Sequence, residues 1–411
     1  MNSLPRHARA RLEVALSDTR IVTVEGPRQA GKSTLCAAVA AARGLTSVTL
    51  DDPGARQRAL EDPVGFISGL RRGAFIDEVQ RAPDLLLVLK ADVDRDPSPG
   101  RFLVSGSANL LLDPRIGDSL AGRVERVPLR PFTQAERGQR GVPGWLDELW
   151  HGAPPPLIEA EAGRAAYAEQ LAAGGFPAVV ARPPARRRAW FDDYVAALIA
   201  RDVPDLVDVR RPDLLPVLLR HLAEGSSTLL RYRPIAEALS VSEKTIRSYV
   251  RLLELLHLVV AVPAWTPGVV GRSVQVPRIY IEDTGLMAHF VEADAARIEA
   301  DGLLAGRAYE TWVTMELQRL LPHTDVAPAM WHWRSAHGTE VDVVLEDRHG
   351  RVVAIEIKSG ATIGRGDLRG INHLRDRLGE RFVAGLVLCS APQTQPCGDR
   401  AWIVPIAALG L

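Results

Sequence analysis

Residues 26–33 read Gly26-Pro27-Arg28-Gln29-Ala30-Gly31-Lys32-Ser33, the G-x-x-x-x-G-K-[ST] spacing of a phosphate-binding loop. The apolar run Ile21-Val22-Thr23-Val24 precedes it, and an Ala-rich stretch from Ser33 to Arg43 follows. The loop is thus expected between a strand and a helix, the context the motif needs. Its glycines let the backbone turn tightly and aim N–H groups at phosphate, and the helix N-terminus adds positive potential. The spacing assigns Lys32 to the β- and γ-phosphates of ATP and the Ser33 hydroxyl to Mg2+. The remaining loop residues and the neighbouring Thr34 complete the expected nucleotide contacts.

Further apolar runs, Val48-Thr49-Leu50, Ala74-Phe75-Ile76 and Phe102-Leu103-Val104, alternate with helical stretches across residues 1–140, an α/β pattern. The second of these ends in Asp77-Glu78. Asp77 is expected to hold the metal through water, and Glu78 to polarise the attacking water. Glu78 argues for hydrolysis rather than binding alone. The third runs into Ser105-Gly106-Ser107-Ala108-Asn109, and beyond it stands Ser119-Leu120-Ala121-Gly122-Arg123.

Composition narrows the class. The 411-residue chain is 46% hydrophobic and 24% charged, with zero net charge, the profile of an ordinary globular protein of two to four domains. Such a balance gives no support to a dedicated nucleic-acid binder and leaves only a local basic patch open. No apolar run has the length of a membrane span, Met1 to Arg6 has no signal-peptide core, and Cys36, Cys389 and Cys397 fall in no metal-ligand spacing. The expectation is a cytoplasmic protein with no membrane partner. Of 50 basic residues only Lys32, Lys90, Lys244 and Lys358 are lysine, so 46 are arginine. Two of the four lysines fall inside chemical motifs, where the difference between an ammonium and a guanidinium matters.

Two more patterns occupy the second half. Tyr232 to Leu239, the turn Ser240-Val241-Ser242 and Glu243 to Leu256 form a helix–turn–helix, with Ser242 as N-cap and an apolar face of Ile246, Val250, Leu253 and Leu256. Leu258 to Val262 and Arg278 to Ile281 are the candidate strands of a wing. Lys244, Thr245, Arg247, Ser248 and Arg251 would face DNA, with Arg272 reaching phosphate. Further on, Gly338 to Leu345 and Val352 to Lys358 form a hairpin closed at Arg348 to Gly350. That register sets Asp347 opposite Arg351 and Asp342 opposite Glu356, with Lys358 on the same face as Glu356. Facing carboxylates repel, and a divalent cation, Mg2+ or Mn2+, would remove the conflict. Lys358 would then orient the attacking water, and Glu310, on an upstream helix, would complete the metal ligands.

The runs GPRQAGKSTL, AFIDEVQ, VSGSANLL, SLAGR and GGFPAVV resemble bacterial AAA-type ATPases whose C-terminal half is a domain of unknown function, number 4143. The resemblance covers nearly the whole chain. It implies an α/β, AAA+ type P-loop core over 1–140, a linker and helical segment over 141–210, a winged helix over 211–285 and a PD-(D/E)XK nuclease-like α/β domain over 286–411. In AAA+ ATPases a polar residue at the end of the third run senses the γ-phosphate, a role open to Ser107, Asn109 or Ser105. Arg123 is the candidate arginine finger or sensor. The order Glu310, Asp342, Glu356-x-Lys358 is similar to the active site of those nucleases, although Val341 replaces their usual Pro. The leading expectation is an oligomeric, ATP-dependent, DNA-processing metal nuclease. Its rivals are an ATP-switched regulatory or DNA-binding protein with a non-cleaving nuclease-like domain, and a transcription regulator acting through the winged helix.

Overall fold

Strands β1 (Ile21–Glu25), β2 (Thr46–Thr49), β3 (Ala74–Asp77), β4 (Phe102–Gly106) and β5 (Val124–Pro128) form a parallel sheet in the order β2-β3-β4-β1-β5. The computed structural model describes residues 4–70, 73–106, 122–160, 163–206, 209–266 and 276–411. The chain divides into two units: residues 1–132, 197–209 and 255–257, and residues 133–196, 210–254 and 258–411. The sheet belongs to the first.

Successive residues of its strands enter opposite cores. Val22, Val24, Phe75, Leu103 and Val127 pack with Leu12, Leu16, Leu35 and Val39 from the helices Ala8–Asp18 and Lys32–Arg43. Ile21, Ile76, Phe102 and Val104 pack on the other face with Leu85, Leu86, Leu89 and Val93 from the helix Leu85–Arg95. Burial on both faces explains why the strands read as continuous apolar runs rather than alternating ones. The exceptions are the two edge strands: β2, expected as a buried run, is mostly exposed, and β5, Val124-Glu125-Arg126-Val127-Pro128, carries a polar alternation that hides it in the sequence. Gly26 is required by close approach. A β-carbon there would stand 1.9 Å from the Leu129 carbonyl oxygen, because the Leu129 N–H donates to Glu25 at 2.8 Å beside the loop.

In the second unit, β6 (Thr228–Leu229), β7 (Val259–Val262) and β8 (Arg278–Ile281) form a three-stranded antiparallel sheet in the order β6-β8-β7. The helices Tyr232–Ala238 and Glu243–Leu255 lie between β6 and β7 in the chain. Ser242 Oγ accepts the Thr245 N–H at 3.1 Å, the expected cap. Lys244, Arg247, Ser248 and Arg251 are exposed and Thr245 is half-buried. Arg247 lies 4.0 Å over the Tyr232 ring. Arg272 lies outside the described residues.

The larger sheet of this unit runs β13-β14-β12-β11-β10-β9, with β9 Ala329–Arg334, β10 Glu340–Glu346, β11 Val352–Ile357, β12 Phe382–Cys389, β13 Gln395–Gly398 and β14 Ala401–Pro405. The β10–β11 ladder pairs Val343 with Ile355 and Glu346 with Val352, the register expected from the hairpin loop. At the turn, Gly350 has φ +74°, and Arg351 Nε donates to Asp347 Oδ2 at 2.8 Å. The stretch 138–157, rich in Pro and Gly, is anchored by its aromatic and leucine side chains. Trp145, Leu146, Leu149 and Trp150 are buried, and Trp145 Nε1 donates to the Ala408 carbonyl at 2.9 Å. Among the described residues no helix is long and apolar enough to cross a membrane.

Candidate functional site

The loop of residues 26–31 leaves the carboxyl end of β1 and enters the helix Lys32–Arg43 through Gly31, whose φ of +97° suits glycine. Ligands of open parallel sheets bind beyond these strand ends. Lys32 is 5% exposed and donates from Nζ to the carbonyls of Gly26 and Pro27, both at 2.9 Å. Burial lowers its pKa to about 8, against the opposing pull of Glu78 and Asp77, so both carboxylates lie within electrostatic reach of the ammonium.

Those carboxylates stand where β3 ends. Ser105 Oγ, at the end of the neighbouring β4, donates to Asp77 Oδ1. Ser105 therefore orients Asp77. Glu78 takes a left-handed backbone conformation, φ +57°, unusual for a residue with a side chain and characteristic of functional turns. The Gln80 side-chain amide donates to Glu78 Oε2. Burial pushes the Glu78 pKa up, while Gln80 and Lys32 oppose that rise. The Ser33 hydroxyl and the Asp77 carboxylate are hard oxygen donors of the kind Mg2+ takes, so this set fits a nucleotide-bound metal.

Two residues of the first unit come from far along the chain. Arg28 of the loop donates from Nη1 to Asp202 Oδ1 at 2.6 Å; Asp202 closes a π-helical turn, Leu198–Asp202. His257 senses the charges of Arg130 and Lys32, and burial followed by those charges lowers its pKa to about 3. Neither residue belongs to a local motif, and nothing in the sequence spacing signals them.

Arg123 is not brought to this end of the sheet. It precedes β5 at the amino ends of the strands, where its carbonyl accepts from Ile21 N–H, and its guanidinium bonds Asp94 at 2.6 and 3.2 Å. The length of β1, roughly 15 Å, separates it from the loop of its own chain. Ser107 and Asn109 lie outside the described residues.

The C-terminal carboxylates do converge, but on a cation the sequence reading did not anticipate. Arg278, the first residue of β8, is buried; its Nη1 lies 2.5 Å from Glu310 Oε1 and 2.9 Å from Asp342 Oδ1. Nη2 donates to Glu340 Oε2 at 2.9 Å, and Tyr280 Oη to Glu310 Oε1 at 3.0 Å. Asp342 Oδ2 accepts the Ile357 N–H at 2.9 Å. Lys358 Nζ sits 2.8 Å from Glu356 Oε1 and 3.6 Å from Asp367 Oδ1.

Burial and the Asp342 charge raise the pKa values of Glu310 and Glu356 well above the carboxylate range. Burial opposes the Arg278 charge, but Glu310, Tyr280 and Asp342 more than offset it and hold it above its ordinary pKa. Among the described residues no group of three or more His, Cys, Asp or Glu is arranged to hold a metal ion. In this arrangement the expected metal set of Glu310, Asp342 and Glu356 is drawn together around side-chain cations. A guanidinium bridges two of its members.

Three family profiles match the chain: an AAA domain at residues 18–137, a domain of unknown function (DUF8612) at 164–297 and another (DUF4143) at 305–409. The uncharacterized protein Rv2008c of Mycobacterium tuberculosis is 33% identical over 362 residues, 87% of this chain and 74% of its own. Mb2031c of Mycobacterium bovis gives the same figures. Among solved structures, the Walker-type ATPase PABY2304 of Pyrococcus abyssi aligns over 70% of this chain and 96% of its own, at 16% identity and TM-score 0.40.

Proposed function

Because the chain belongs to the AAA-type P-loop ATPases that carry a C-terminal DUF4143 domain, we propose that its ATP hydrolysis switches a DNA-directed C-terminal half. The observation that carries the reading is Lys32, buried at the loop with the carboxylates of Asp77 and Glu78 in its field. Lys32 binds the β- and γ-phosphates, and the loop N–H groups and helix N-terminus hold them. Ser33 and Asp77 would hold Mg2+, which neutralises phosphate charge when bound. Glu78, held by the Gln80 side-chain amide, accepts a proton from the attacking water. Arg28 turns between Asp202 and the nucleotide phosphates.

Residues 232–262 and 278–281 act as a winged helix–turn–helix, with the exposed face of Glu243–Leu255 toward DNA phosphate. The six-stranded sheet is the nuclease-like domain. The regulatory, non-cleaving form of this reading is favoured over the metal nuclease by the guanidinium seated between Glu310 and Asp342.

Lys32→Ala is expected to abolish ATP hydrolysis, and Glu78→Gln to abolish hydrolysis while retaining ATP binding. Wild-type hydrolysis in Lys32→Ala would overturn the ATPase assignment to this loop. For the coupling, anisotropy of labelled duplex and branched DNA is expected to give different affinities with ATP and with ADP. Equal affinities would remove it.

A further inference from the structure

We infer that Arg278 is the resident cation of the Glu310–Asp342–Glu356 cluster, so that the C-terminal domain holds a guanidinium where a metal nuclease would hold a divalent ion. The geometry is that of substitution. One nitrogen, Nη1, spans a Glu310 oxygen and an Asp342 oxygen at 2.5 and 2.9 Å. A bridging Mg2+ or Mn2+ would need the same two oxygens and the same space, at about 2.0–2.2 Å from each.

Most other donors and acceptors are also supplied by the chain. Asp342 Oδ2 is taken by Ile357 N–H, Glu356 Oε1 by Lys358, and Glu310 Oε1 also by Tyr280. Glu356 Oε2 alone is buried without a hydrogen-bond partner. A divalent ion held by these oxygens would have to displace the Arg278 guanidinium, the Lys358 ammonium or both. Charge agrees: Arg278 and Lys358 supply two positive charges to three buried carboxyls, two of which burial drives toward the neutral form.

Arg278 is also placed with little freedom. Its backbone lies in β8, paired with Val262 of β7 and Leu229 of β6, and its head is fixed by three carboxylates on the helix Gly302–Leu320 and on β10. A planar fork with five donors suits such a set, whereas a lysine could not reach two partners from one nitrogen and a third from another. The cluster thus recognises a guanidinium, and the chain provides it.

The test is Mn2+ binding to the full-length protein without nucleotide, counted by electron paramagnetic resonance. Wild type is expected to hold no Mn2+ at the cluster, and Glu310→Gln and Asp342→Asn to leave the count unchanged. Arg278→Ala is expected to gain one Mn2+ per chain, lost again in Arg278→Ala/Asp342→Asn. Stoichiometric Mn2+ in wild type that Glu310→Gln or Asp342→Asn removes would overturn the inference. So would a folded Arg278→Ala protein that gains no site. Should Arg278→Ala fail to fold, the comparison of wild type with Glu310→Gln decides alone. The ATPase reading is tested separately by Lys32→Ala.

Discussion

Replacing Arg278 by methionine keeps much of the aliphatic stem and removes the charge. Glu310 and Asp342, both largely buried, lose their shared partner, whereas Glu340, 40% exposed in its side chain, loses little because water screens it. Removing one partner of a buried ion pair costs about 3–5 kcal/mol, since the remaining charge stays desolvated. For a unit of this size each kcal/mol lowers the melting temperature by about 2–4 °C, so a fall of roughly 10 °C is expected.

The loss has a pH signature. Without the guanidinium, the folded-state pKa of Glu310, already raised by burial, rises further above its unfolded value. Such groups stabilise the fold below the unfolded pKa, near 4.5, and that contribution is lost as pH rises through the folded pKa. The variant is therefore expected to be closest to wild type near pH 4.5 and furthest from it above pH 8. Adding Glu310→Gln to Arg278→Met should recover part of the loss. Thermal denaturation at several pH values measures all of this. A drop below about 1 kcal/mol at pH 7.5, or no recovery in the double variant, would refute the reasoning.

At the nucleotide end, kcat/KM for ATP is expected to fall as pH rises through about 8, where Lys32 loses its proton in the free enzyme. Lys32→Arg should lose that descending limb along with much of its activity; a limb that survives would belong to another group. His257, held near 3, contributes no limb in this range. Asp202→Ala should cost about 1–3 kcal/mol in stability, with Arg28→Ala similar and the double variant no worse than either, because one partly buried pair is removed in all three. Additive losses in denaturant titrations would deny the pair. Gly26→Ala should sever ATP binding in equilibrium dialysis, because the new methyl stands 1.9 Å from the Leu129 oxygen and must force β1 from β5. Wild-type affinity would contradict that approach.

What the sequence made legible was local. The phosphate loop, the Asp77-Glu78 strand end and the β10–β11 register follow from spacings of a few residues, where glycine, a strand period and a turn leave little choice. What stayed hidden was carried by distance. Arg278 lies 32 residues from Glu310 and 64 from Asp342, and in a chain of 46 arginines no single arginine stands out. The facing carboxylates call for a positive charge, and Arg278 and Lys358 each bring one to them. Trp145 and Trp150 were obscured by surrounding Pro and Gly, which signal irregular backbone but not whether that backbone is buried. Lys358, one of four lysines, pairs with Glu356 as its shared face predicts. Asp202 and His257 reach the loop's unit through folding that no spacing encodes.

The family boundaries cut through this cluster: Arg278 falls in the segment matched at 164–297, and Glu310, Asp342 and Glu356 in the one matched at 305–409. A C-terminal module separated from β8 would carry Glu310, Glu340 and Asp342 without the arginine they bind. The structural unit that satisfies these charges is thus larger than the segment matched at 305–409. A gene fragment beginning at residue 305 would encode the acids orphaned from their cation, and metal uptake by such a fragment would describe the cut, not the protein.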